Sequence, residues 1–251
     1  MPARAFKTTY AKSAVSVCLA LLGPAIALFP NSGYADHDDV HFVVGYINHP
    51  QVNKFYKPLI ERAYKQIGIS VTFEKVGGMR GLKLLNEGMT DADVIRYDVV
   101  IKDNSNVIAI EPQLSIGASF LLCVPDVPCN KDIINKPDTG IAVTTRFFYN
   151  IEKQPSDLAA NFYEFDDFYH VVELIKSERF SYAIAPSDFS DLHVFEELGF
   201  NYIPLVKHSL IHVINKKHLN LQPALSKAIE HQLAISKVDN AESAKWIKLL
   251  L

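Results

Sequence analysis

The chain has 251 residues, of which 49% are hydrophobic and 21% charged, with a formal net charge of −3. That balance fits a packed globule of one or two domains and excludes a disordered chain, while 13 prolines and 11 glycines are too few for a low-complexity one. A weakly acidic sequence also argues against general nucleic-acid binding, because neutralising phosphates needs clustered Lys and Arg.

Residues 1–35 read as a secretory signal. Arg4, Lys7 and Lys12 precede an apolar run from Ala14 to Phe29, and the small residues Gly33 and Ala35 predict cleavage after Ala35. The run holds Gly23 and Pro24 and falls short of the roughly twenty apolar residues of a spanning helix, so a membrane anchor is the weaker reading. The segment carries three of the 25 basic residues and no acid, so the remainder holds 22 against 28 acidic, a net −6. No later stretch predicts a membrane span, and the expected product is soluble and periplasmic.

His41 to Tyr46 predicts a buried strand. Phe55, Leu59, Ile60, Ala63, Tyr64 and Ile67 then recur at helical spacing, with Pro58 confined to the first turn and Gly68 as the stop. Ile69 to Phe73 alternates as a strand. Gly77-Gly78 opens a short helix bearing Leu82, Leu84 and Leu85 that ends at Gly88, and Ala92 to Ile95 gives a third strand. Strand, helix, strand, helix, strand is the order of a parallel sheet covered by helices.

The order repeats after a gap. Gly140 to Val143 and Phe162 to Phe165 predict strands, Asp166 caps a helix through Phe168, Val171, Val172 and Ile175, and Phe180 to Ala185 closes the set. Leu84-Leu85 and Val94-Ile95 in the first set match Leu174-Ile175 and Ile184-Ala185 in the second. Between the sets lies Ile116 to Leu122, and after the second comes Leu210 to Ile214, followed by a helix from about Leu221 to Ser236. These two apolar strands read as crossovers forming a hinge. The expected architecture is α/β and two-lobed, with lobe one at 36–116 plus 211–251, lobe two at 117–210, and a cleft between them. Cys123 and Cys129, close together in an exported chain, predict a disulfide that clips a small loop; a metal site is the weaker reading, because no second Cys/His pair lies nearby.

Gly77-Gly78-Met79-Arg80-Gly81-Leu82-Lys83-Leu84-Leu85-Asn86-Glu87-Gly88, followed by Asp91-Ala92-Asp93-Val94-Ile95-Arg96, resembles the bacterial extracellular solute-binding proteins of family 3, which serve ABC transporters for amino acids. The resemblance implies a type II periplasmic binding fold, a small polar solute such as an amino acid or related carboxylate, and a permease or membrane sensor as partner. It implies no cofactor. It also implies that Arg96, just past a strand end, holds the ligand carboxylate, a task suited to the planar guanidinium fork. The chain departs from the family in its shorter length and in lacking the threonine-rich segment before the ligand arginine.

Other candidates come from position. Arg80 follows Gly77-Gly78 at a helix start, facing the cleft or capping a neighbouring loop. Tyr46 ends the first strand as an apolar wall, a cation–π face or plain packing. Thr144-Thr145-Arg146 opens a helix after a strand, an anion site or a simple cap. Asp188 is positioned to pair with a ligand amine or to cap residues 189–198. His37, His41 and His49 with Asp36, Asp38 and Asp39 are spaced as a solvated polar tail rather than a metal site.

No phosphate loop, zinc-protease helix or nucleophile elbow occurs, and His208-Ser209 alone makes no triad. The alternative function is a dehydratase or lyase on the same scaffold, with His170 or Glu173 as the acid or base. A third reading is an interaction module with a collapsed cleft.

Overall fold

The computed structural model describes residues 40–144, 158–189 and 192–250, with Val100 and 237–250 described by backbone alone. The proposed signal, Thr145 and Arg146 lie outside the described residues. Among the described residues no helix is long and apolar enough to cross a membrane.

The first set of elements is β1 (His41–Tyr46), α1 (Lys57–Gln66), β2 (Ser70–Lys75), α2 (Gly78–Asn86) and β3 (Ala92–Tyr97). A widened helical turn over Val52–Tyr56 leads into α1, with Pro58 in the first turn, where a missing N–H costs nothing. Gly68 and Gly88 follow the ends of α1 and α2 at φ 76°, the left-handed conformation that stops a helix and suits a residue without Cβ. The long strand β4 (Val107–Cys123) leaves this set. The second set is β5 (Gly140–Thr144), β6 (Asn161–Phe165), α3 (Phe168–Lys176), β7 (Tyr182–Asp188) and α4 (His193–Glu197). A second long strand, β8 (Asn201–Asn215), returns, and α5 (Gln222–Leu250) ends the described chain.

All eight strands share one sheet in the order β2-β1-β3-β8-β4-β7-β5-β6. β1 lies parallel between β2 and β3, and β5 lies parallel between β6 and β7, so the two sets have the same local topology. β4 and β8 run antiparallel to each other and join the halves, their register breaking between Ile110 and Ser115 and again at Ser119/Phe120. Both crossovers are longer than the apolar runs predict. The added stretches contain polar or exposed positions such as Glu111, Gln113, Pro204 and Lys207, which hide the strand from an apolar pattern.

Each half buries its own cores on the two faces of the sheet. In the first, Phe42, Val44, Leu59, Ile60 and Tyr64 pack with Leu225 and Ile229 of α5, while Leu82 and Leu85 of α2 meet Ile211 and Val213 on the other side. In the second, Phe120, Val171, Ile175 and Phe195 form one cluster, and Leu121, Ile133, Ile141 and Ile184 the other. Separate cores joined by two long strands make the two-lobed α/β fold. Cys123 and Cys129 are disulfide-bonded, their Cα atoms 5.8 Å apart. The cap of α3 is Asp167, which accepts from the Tyr169 N–H at 2.8 Å, one residue beyond the predicted Asp166.

Candidate functional site

A cavity of about 440 Å³ opens where the two halves meet. The first half contributes His49, Tyr56, Arg96 and Tyr97, the second Thr144, Phe168, Ser187 and Asp188, and the crossovers Ser119 and Leu210. A concave site with apolar walls and a few convergent polar groups is the usual form of a small-molecule site.

Arg96 sits near the end of β3, beside a register break between β3 and β8. It is 9% exposed, ion-paired with Asp93 through Nη2, and donates from Nη1 to the Gly78 carbonyl at 2.7 Å. Asp93 is sealed inside. Burial pushes its carboxyl upward and the adjacent guanidinium pulls it back down. Asp93 Oδ1 and Arg96 Nε lack hydrogen-bond partners among the described residues. The pair fits because Gly81 stands behind it: a Cβ there would lie 2.6 Å from Arg96 Nη2 and 2.7 Å from Val76 Cγ2. The backbone therefore approaches the guanidinium more closely than any side chain allows.

The connector between β1 and α1 contributes a second group of lining residues. His49 is buried, stacks edge-on against Phe168 at 4.4 Å, and donates from Nε2 to the Pro186 carbonyl at 3.0 Å. Its Nδ1 accepts from the Gln51 N–H at 3.3 Å, which fixes the neutral tautomer. Desolvation lowers its pKa to about 4, against smaller upward pulls from the Pro186 carbonyl and Asp188. Gln51 Nε2 donates to Asp188 Oδ1 at 2.6 Å, and Tyr56 OH donates to Asp188 Oδ2 at 2.5 Å. Burial and the Asp188 charge push the Tyr56 phenol upward, so it stays a donor.

The structure brings three of the sequence candidates, Arg96, Thr144 and Asp188, to one cavity. Arg80 is exposed on α2 and does not line it. Tyr46 lies under Lys57 Nζ at 3.9 Å and edge-on to Phe73, packed at the sheet end rather than in the cavity wall. Asp188 ends β7, and the residue before α4 is Leu192. His49 is no part of a solvated tail, and His41 bonds Ser70 Oγ and Thr72 Oγ1 on the neighbouring strand. His170 and Glu173, the acid/base candidates, are exposed on α3 and outside the cavity lining.

The sequence candidates did not include His49 as a cavity residue, nor Gln51, Tyr56, Tyr97 and Ser119. One signal points to part of this group: Asn48-His49-Pro50-Gln51 directly follows the C-terminal end of a strand, where open α/β sheets place ligands.

No family model matches the sequence, and no curated relative does either. Solved structures do share the fold. The arginine-bound form of a truncated ArgBP from T. maritima superposes with a TM-score of 0.62 at 14% identity, covering 76% of this chain and 95% of that one. The substrate binding protein of an amino acid ABC transporter gives 0.65 at 13% identity, covering 83% and 99%. An ancestral amino acid-binding protein, a precursor of cyclohexadienyl dehydratase, gives 0.63 at 16% identity, covering 80% and 92%. At these identities the likeness is one of fold.

Proposed function

We propose that the protein is a secreted solute-binding protein that takes a small polar solute, an amino acid or related carboxylate, into the cavity between its halves. The observation that carries this reading is the position of Arg96. Arg96 lines the cavity from β3, and Thr144 lines it from β5 of the other half. A solute bridging these residues contacts both halves at once, and so favours the arrangement in which they meet; that differential contact is what drives a population shift. Asp93 balances the Arg96 charge and leaves the guanidinium oriented, so the solute brings an acceptor oxygen to an aimed fork rather than to a mobile cation. On this reading lobe one is 36–116 with 211–251, lobe two is 117–210, β4 and β8 form the hinge, and a signal ends at Ala35. Thr145 and Arg146 belong to the same proposed ligand set, with an ABC permease or membrane sensor reading the bound form.

The shared fold of amino-acid-binding structures supports the reading, and the exposed placement of His170 and Glu173 weighs against an enzyme. Isothermal titration against the common L-amino acids and small mono- and dicarboxylates tests it. Binding of at least one, lost in Arg96→Met, is expected. Absence of heat with every solute after stripping would remove the proposal, and turnover of a bound solute would replace it with the enzymatic reading.

A further inference from the structure

The connector after β1 does more than wall the cavity. In nine residues, from Asn48 to Tyr56, four side chains reach the other half. Asn48 Nδ2 donates to Asp167 Oδ2 at 3.2 Å, His49 reaches the Pro186 carbonyl, and Gln51 and Tyr56 both donate to Asp188. Both polar atoms of the Gln51 amide meet its partner strand. Its Nε2 serves the Asp188 carboxylate, while its Oε1 accepts from the Asp188 N–H at 3.2 Å and from Ser187 Oγ at 3.3 Å. Gln51 and Asp188 are only 6% and 3% exposed. We propose that this cluster is a clasp that holds the two halves together without a solute, with Asp188 as its anchor and Gln51 and Tyr56 as its fingers.

The chemistry of the clasp is complete in itself. Every partner named here is a protein atom, and both Asp188 oxygens are met by protein donors even though the residue borders the cavity. Asp188 is therefore a positioning residue, and this role replaces the expected contact with a ligand amine. Separating the halves breaks contacts that are already buried, so the joined form is populated before a solute arrives. A ligand that binds an already favoured form changes the population little, and a membrane partner would then respond to the occupied surface rather than to closure. The clasp borders the proposed solute site but stands on its own contacts, whether or not a solute is found there.

Small-angle scattering on the full secreted chain tests this, after unfolding in guanidinium, dialysis and refolding to strip small molecules. The stripped protein is expected to keep the compact profile of the joined form, and Gln51→Ala combined with Tyr56→Phe to increase the radius of gyration. If stripped wild type is already as extended as the double variant, or the double variant stays as compact as wild type, the clasp is overturned. Circular dichroism checks folding. Should the double variant fail to fold, Asp188→Asn, which keeps size and removes the charge, is read by the same two criteria. Titration with L-amino acids is run separately, so a protein that binds no solute yet stays compact counts against the solute reading alone.

Discussion

Two buried aspartates border the same cavity and are stabilised by opposite means. Asp93 has a full positive charge beside it, three residues along its own strand, yet one of its oxygens has no hydrogen-bond partner among the described residues. Asp188 takes its donors from an amide and a phenol 137 and 132 residues away, and both of its oxygens are met. The first pair is a local device, which a single strand and the space left by Gly81 can assemble. The second exists only when the halves come together. Charge neutralisation thus shapes the interior of one lobe, whereas hydrogen-bond satisfaction joins the two.

Removing Arg96 should separate the two cases most sharply. Arg96→Ala leaves Asp93 sealed without its counter-charge, a change that costs about 3–5 kcal/mol in comparable buried pairs. Burial already pushes the Asp93 carboxyl upward, so in the variant the group should take up a proton in weak acid. The loss, read from urea midpoints, should therefore grow as pH rises. A loss that is flat with pH would mean that Asp93 does not carry the penalty.

Acid should act on the junction next. His49 is neutral with a pKa of about 4, below the ordinary 6.5, so the unfolded chain binds the extra proton first. Its contribution is complete above about 6.5 and is lost as pH falls toward 4, on the order of 3 kcal/mol in all. His212, inside the first half between the Val94 carbonyl and Tyr64 OH, is lowered to about 4 as well and loses its share over the same window. His49→Gln should reduce the slope of stability against pH. An unchanged slope would assign the acid sensitivity to the other histidines that burial holds down, His212 and His208.

Tyr56→Phe removes a single donor to Asp188 and keeps the buried ring. Hydrogen bonds to charged groups contribute about 1.5–3 kcal/mol, and the urea midpoint should fall accordingly with the slope unchanged. A change of less than about 0.5 kcal/mol would show that water replaces the phenol freely, and that the junction is looser than its burial implies.

The same contrast explains what the sequence could reveal. Periodicity, with the glycine stops at Gly68 and Gly88 in the first set, marks two sets of strands with the same local topology, because those signals lie within a dozen residues of one another. Arg96 was legible for the same reason: it stands at a strand end, three residues from its partner. Gln51 and Tyr56 were not, since nothing near residue 51 announces an acceptor at 188. The position of Tyr46 leaves its role open because a strand-end aromatic can turn to either face, and here Lys57 and Phe73 claim the ring. The apolar runs stop short of the full crossovers because Glu111-Pro112-Gln113 and Pro204 interrupt them, although the β4–β8 pairing continues past both.

Lys75 and Asp167 provide the mildest test. Their ion pair spans the halves at 3.3 Å, close to the Asn48–Asp167 hydrogen bond, but the lysine side chain is 57% exposed and the aspartate 30%. Charges so near water are screened, and exposed pairs contribute under about 1 kcal/mol. Asp167 is held below the usual carboxylate range by Asn48, the Tyr169 N–H and Lys75, so its ionised form persists without the lysine. Lys75→Ala should accordingly lower stability by less than about 0.5 kcal/mol, and high salt should erase even that difference. If the variant instead matched Tyr56→Phe in cost, solvent-exposed charge rather than buried hydrogen bonding would be what joins the halves, and the distinction between the two aspartates would collapse.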